Sequence, residues 1–364
     1  MADVKYTIHL LDPDGTEIDI IDKWISLSYN RTVDAIGTLI LVLPPTYPMS
    51  NLKTDGRLAV YRNGKLDTET IWLIREPEYS TAEDGSEVIT VTAYSANYLL
   101  TSRVVAYDSR TAQADKEDKA DSVMVAYVSE NLGSDASDSE RDVSDYLDVQ
   151  ASASLGPTVT KECAWDNLFD VLHDVAKTSA EKGSPVHFDV VAPAQDKLEF
   201  RTYRGQRGLN HTAASGEYSI TLSLDRGSLG PPAKRNFDRT DEVTFVYAAG
   251  NNTDSSSPMT ASDGNRIGES PFNRREQYVR AGGMAGSAGG IDEAQTAVRA
   301  GRPKRVFEGM ALDVPGAQYG MHWEFGDKVT AEYAGDSFDV SIDSISVMFV
   351  NKEETITARL RAED

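Results

Sequence analysis

Five histidines, one cysteine and 58 carboxylates are the groups of this 364-residue chain with the chemistry for catalysis or metal binding. His9, His173, His187, His211 and His322 are scattered, with no HExxH and no other paired spacing, so a zinc hydrolase has little support. His173 falls inside a run of helical periodicity and reads as a helix-face residue. Cys163 alone forms no intrachain disulfide, and it excludes zinc-ribbon and CxxC redox chemistry. Neither a GxSxG elbow nor a Walker A loop occurs. The oxygen-rich stretch SDASDSERDVSD (134–145) lacks the ligand order of an EF-hand and reads as a solvated loop, with adventitious calcium as the lesser alternative. Carboxylates are abundant enough for a glycosidase pair, yet nothing singles one out. Tyr47, Trp72 and Trp323 are of types that stack on sugars; at strand positions such residues are more often core. The expectation is no enzyme, with no catalytic, cofactor-binding or metal-binding residue and no cofactor.

The charge balance narrows the partners. With 58 acidic against 36 basic residues the net charge is −22, which disfavours binding to a nucleic-acid backbone or an anionic membrane. The first residues, MADVKYTIHLLDPDG, show no basic region followed by an apolar one, so no signal peptide is expected. Runs such as LILVL fall far short of the roughly 20 apolar residues a membrane helix needs. A soluble protein made in a cytoplasm is expected, with no membrane insertion.

Elements follow from period and turn chemistry. The first hundred residues read as antiparallel β: KYTIHLL and EIDII flank the turn DPDG, and RLAVY and TIWLI flank Asn63–Gly64, a hairpin signal because both residues tolerate positive φ. From Tyr107 the texture changes to a polar stretch and then a helix through Val123, Tyr127, Val128 and Leu132, stopped by Gly133. The clearest helix is AWDNLFDVLHDVAKTS, with Trp165, Leu168, Phe169, Leu172, Val175 and Ala176 on one stripe and Thr160 as a candidate cap. VHFDVV and KLEFRTY read as strands, giving a small α+β insert. EYSITLSL returns to β, GSLGPPAKRNF reads as a linker and DEVTFVYAAG as a strand. NNTDSSSPMTASDGNRIGESPF reads as a long loop, AGGMAGSAGG (Ala281–Gly290) as a flexible segment, either a hinge or a stretch that orders only on assembly, and IDEAQTAVRA as a short helix. DKVTAEY, FDVSIDSISVMFV and ETITARLR close the chain in β.

Two observations bear on architecture. DGRLAVYRNG (Asp55–Gly64) aligns without gaps on GDKVTAEYAG (Gly326–Gly335), as an internal repeat of a β unit would. GTLILVL, from Gly37, is apolar on both faces. A strand of that kind fits a small barrel filled by side chains and covered outside, either by the helix at Trp165–Ala176 or by a partner subunit.

The order of LSYNRTVDAIGTLILVLPP, DGRLAVYRNGK, TIWLIREPEY, VITVTAYSANYLL, the α+β insert, VTFVYAAGNN, RREQYV and WEFGDKVTAEY resembles the hub proteins of phage tail tips and baseplates. These are the tube-forming part of siphophage tail-associated lysin proteins and are related to the hubs of contractile tails. The resemblance covers nearly the whole chain and lies in order and spacing. It implies a mainly β fold with two tube-type β-barrel domains and a small helix/β-hairpin insert: a first barrel at 1–106 closed by a returning strand at 216–235, the insert at 107–215, and a second barrel at 236–364 carrying a loop and helix insertion at 251–305. It further implies a structural virion protein at the tail tip that forms a homotrimer. That pseudo-sixfold ring would have the distal tail protein or tail tube above, a tip, fibre or lysin protein below, and tape-measure protein and DNA passing through without specific binding. An acidic lumen would repel the phosphates. The chain stops at Asp364 after its last strand, so peptidoglycan cleavage or receptor binding is expected of another polypeptide. A protein-injecting apparatus hub and an envelope-targeting sugar binder or hydrolase are the alternatives.

Overall fold

The structure, a computed structural model, describes residues 4–81, 83–106, 114–215, 218–250, 258–281, 287–312 and 314–362. The N-terminal half forms β1 (Tyr6–Leu11), β2 (Glu17–Ile21), β3 (Ser26–Thr32), β4 (Thr38–Leu43), β5 (Arg57–Arg62), the short β6 (Lys65–Leu66), β7 (Trp72–Thr81) and β8 (Glu87–Ser95). They pair antiparallel in the order β3-β4-β8-β7-β5-β1-β2, with β6 on β5. At the β5–β6 turn, Asn63 and Gly64 take φ of 52° and 84°, the twist that a two-residue hairpin requires.

β4 alternates more cleanly than its sequence. Leu39, Leu41 and Leu43 are fully buried with Leu27, Tyr29 and Val91, whereas Ile40 is 41% exposed. On the outer face Ile40 lies between Ser28 of β3 and Thr92 of β8, so it looks out from an uncharged surface. The helix expected to cover this face packs elsewhere.

The insert comprises β9 (Ala114–Lys119), α1 (Ala120–Leu132), β10 (Leu147–Val149), β11 (Thr158–Cys163), α2 (Leu168–Glu181), β12 (Val186–Ala194) and β13 (Lys197–Arg204). Gly133 ends α1 as expected. The start of α2 differs from the sequence reading. Thr160 lies in β11, and the cap is Asn167, whose side chain accepts the Phe169 amide at 3.0 Å. Trp165 precedes that cap with φ of 64° and is 56% exposed, so it is outside the stripe. The helices cover the sheet β10-β13-β12, and their core continues into the first half through Leu11, Ala59, Ile71 and Leu73.

The C-terminal half contains β14 (Asn210–His211), β15 (Thr221–Ser223), β16 (Leu229–Asp238), β17 (Phe245–Gly250), β18 (Met259–Ser262), α3 (Gly264–Gly268), β19 (Glu276–Ala281), α4 (Ser287–Ala300), β20 (Lys304–Ala311), β21 (Lys328–Tyr333), β22 (Asp336–Val350) and β23 (Glu353–Ala362). Three expectations change. The stretch expected to return to the first barrel instead pairs within this half, β15 on β21 and β16 on β20. The stretch read as a linker is β16 itself; Pro231 and Pro232 sit where the register slips between Gly230 and Lys234, so the ladder does not need their missing N–H. Part of the expected long loop is regular, as β18 and α3, and α4 already begins at Ser287. Residues 251–257 of that loop and 282–286 of the glycine-rich segment lie outside the described residues.

β22 unites the halves. Its 15 residues pair with β21 up to Ser341, pass a bulge between Ile342 and Ser344, and then pair with β3 from Ser344 to Val350. The edge of β3 is thereby taken by the C-terminal half, and the sheet runs on continuously. The two repeat segments share backbone signatures. Asp55 and Gly326 both lie in the left-handed region (φ 62° and 89°), and Ala334–Gly335 turns like Asn63–Gly64.

Candidate functional site: a buried polar seam

A group of buried polar side chains lies where the two halves and the insert meet. Asp67, in the turn after β6, accepts hydrogen bonds from Tyr29 of β3 at 2.5 Å and from Tyr319 of the C-terminal half at 2.9 Å. Burial pushes its carboxyl up to about 6, against these two hydroxyls that pull it down. Thr68 and Glu69 follow with φ of 52° and 51°, a left-handed pair costly for a β-branched residue. Arg207, just beyond β13, steadies that turn through the Glu69 carboxylate at 3.2 Å.

Arg62 of β5 grips Glu354 of β23 in a two-point pair, Nε at 2.8 Å and Nη2 at 2.7 Å, while Nη1 donates to the Tyr319 carbonyl. Tyr6 donates to the same carboxylate at 2.5 Å. Burial opposes the Arg62 charge, but the hydrogen bond and charge of Glu354 outweigh it and hold its pKa above the ordinary value. A planar fork on a carboxylate fixes orientation as well as energy, so β5 and β23 are held in register 292 residues apart in sequence.

The insert is tied in by a second cluster. Asp189 of β12 accepts from Arg31 of β3 at 2.7 Å and from Arg207 Nε at 2.7 Å. Both guanidiniums lie over the Phe325 ring, that of Arg31 5.3 Å and that of Arg207 4.9 Å from its centroid. Beside them His187 meets Asp34 at 2.6 Å, and burial, which disfavours its charge, is outweighed by that carboxylate, so its pKa is raised.

The free edge of β12 is closed by side chains. The amides of Val186, Phe188 and Val190 donate to Ser179, Asp34 and Asn97 at 2.8, 2.8 and 2.7 Å. Two of these acceptors belong to the N-terminal half, so the insert docks by extending a ladder with side chains. In the C-terminal half Asp327 accepts the amides of Leu209 and Glu324 at 2.6 and 2.7 Å. That is the work of the GD pair in WEFGDKV, and a Cβ on Gly208 would stand 2.2 Å from an Asp327 oxygen.

Chemically the seam is a set of paired charges with no aligned nucleophile and base. Among the described residues no group of three or more His, Cys, Asp and Glu is placed to hold a metal ion. The residues first weighed for chemistry are dispersed. Trp72 and Trp323 are each 1% exposed and lie in the core, and Tyr47 is half-buried with its hydroxyl on Asp19 at 3.0 Å. His173 is on the exposed side of α2, stacked on Phe169 at 6.4 Å, and Cys163 is buried. Residues 134–145 form exposed turns whose one base, Arg141, donates to Val104 and Asn131. The pairing of the seam residues carried no sequence signal, because partners such as Arg62 and Glu354, or Arg31 and Asp189, lie 292 and 158 positions apart.

A family model described as Siphovirus ReqiPepy6 Gp37-like protein matches residues 7–360. The chain belongs to this family. A search of curated proteins returns no match. Among solved structures, this Gp37-like chain is similar to the 43 kDa tail protein of prophage MuSo2 from Shewanella oneidensis, with 12% identity, 98% of each chain covered and a TM-score of 0.63. It is also similar to the tail protein from Neisseria meningitidis MC58 (11% identity, 99% of this chain and 97% of that one, TM-score 0.59). A third likeness is prophage tail protein gp18 from Listeria monocytogenes EGD-e (13%, 98% and 94%, 0.55). The Gp37-like chain therefore has the fold of phage tail proteins along its whole length, with the seam inside the shared region.

Proposed function

We propose that this Gp37-like protein is a structural component of a phage tail tip, a hub whose three copies form a ring through which tape-measure protein and DNA pass. The observation that carries this reading is the whole-length likeness to prophage tail proteins together with a siphovirus family match spanning 7–360. The architecture supports it. Two β-rich halves with a repeated strand–turn unit are joined through β22, and buried ion pairs such as Arg62–Glu354 tie them together. In this reading each half acts as one tube-type barrel, so three chains present six barrels to a sixfold tube. The protein acts by assembly rather than catalysis, with the distal tail protein or tube above it and a tip, fibre or lysin protein below. The acidic balance suits a conduit for DNA, since a wall of carboxylates does not trap phosphates.

Immunogold labelling of tailed particles with antibody against the purified chain tests its location. Gold at the distal end of the tail is expected; gold on the capsid or along the whole tube contradicts the reading.

A further inference from the structure

Residues 239–305 carry nine basic and eight acidic side chains, in a chain whose net charge is −22. The described residues among them form a lobe with a three-stranded sheet in the order β18-β17-β19. α4 covers one face, packing Ala294, Ala297 and Val298 on Val246, Ala248, Ala261 and Val279. α4 in turn meets α2 of the insert, where Arg299 donates to the Lys182 carbonyl at 3.1 Å. The helix thus lies between this sheet and the chain's own insert.

By strand alternation the opposite face carries Phe245 and Tyr247 of β17 and Glu276, Tyr278 and Arg280 of β19. Tyr247 and Tyr278 are register partners. Phe245 and Tyr247 have ring centroids 4.9 Å apart. The Arg274 guanidinium lies 3.8 Å from the Phe245 centroid and donates to the Tyr247 hydroxyl at 3.2 Å and to Glu276 at 2.7 Å. Tyr278 is 53% exposed. Tyrosine and arginine on a rigid sheet, at low ordering cost, are the residue types that dominate protein–protein hot spots.

We propose that this tyrosine–arginine face docks on the acidic insert surface of a second copy of the chain. Charge complementarity selects that occupant. Outside the lobe the chain is strongly acidic, and its exposed acidic stretches include the 134–145 turn region of the insert, with Asp135, Asp138, Glu140, Asp142 and Asp145 outward and Arg141 engaged by Val104 and Asn131. α4 keeps the chain's own insert on the wrong side of the sheet, so the acids come from a neighbour. Two different patches meeting head to tail make a heterologous contact, the kind that closes into a ring. The inference rests on the ring reading and names one of its interfaces.

The test is self-association of the full chain by light scattering and sedimentation, for wild type, Tyr278→Ala, R274E/R280E, D138R/E140R and the four-fold combination. Each one-sided variant is expected to weaken association by about tenfold or more, and the combination to restore it. Variants that assemble like wild type overturn this surface and leave the ring standing. One-sided variants that fall apart from a wild-type assembly of other than three copies keep the surface and overturn the ring; a wild type that never associates overturns both. Single-stranded nucleic acid also stacks on tyrosine and arginine. Binding of a fluorescent oligo-dT that Tyr278→Ala abolishes, with self-association unchanged, overturns the proposal in favour of that ligand.

Discussion

Asp67 is the point on which the seam's hydroxyls converge, and its titration separates it from other carboxylates. In the folded chain its pKa stands at about 6, against an ordinary value of 3.8. Between those values the folded state binds a proton that the unfolded state has released. Its contribution to stability is therefore fully present below the unfolded value and is lost as pH rises through about 6. Asp67→Asn keeps the shape and removes the titration. Melting temperatures of the two proteins from about pH 3.5 to 7 should show wild type losing ground to the variant as pH rises. A gap that is constant, or that widens in favour of wild type, contradicts the placement of this carboxyl. Little of this was legible in the sequence. Asp67 follows an ordinary hairpin signal, and Tyr319 is 252 residues away, so only the folded arrangement brings them together. Trp165 shows the opposite error, where a helical spacing extended a stripe past the Asn167 cap that ends it.

At the scale of elements, period and turn chemistry located most strands and both insert helices, because those signals are local. What they could not give was which edge meets which. β16 looked like a linker because its prolines break the ladder pattern, and a bulge absorbs them. The run GTLILVL looked two-sided because Ile40 and Val42 are apolar, yet only the leucine face is sealed. That distinction has a measurable consequence. Leu41→Ala should destabilise the chain by about 2–5 kcal/mol through lost burial and a cavity, while Ile40→Thr should stay within about 0.5 kcal/mol. Urea midpoints read the difference, and equal losses at the two positions would mean that the outer face is covered within the monomer.

For the whole molecule, the fold class and family resemblance were legible from the order of motifs, while the joining of the halves was not. β22 crosses from one half to the other through a bulge, and pairs such as Arg62–Glu354 and Arg31–Asp189 link distant segments. Buried ion pairs of this kind add orientation more than net stability, since desolvation offsets much of their attraction. In the proposed ring reading, that orientation would set the angle between the two β-rich halves. If three such bodies close a ring, the angle decides whether it closes. The most direct measurement is the mass of the purified chain in solution, with negative-stain images of the same fraction. Three copies, about 119 kDa as three times 39.7 kDa, in rings with a central hole is the expected result. A monomer at every concentration, with no ring in any image, would contradict it.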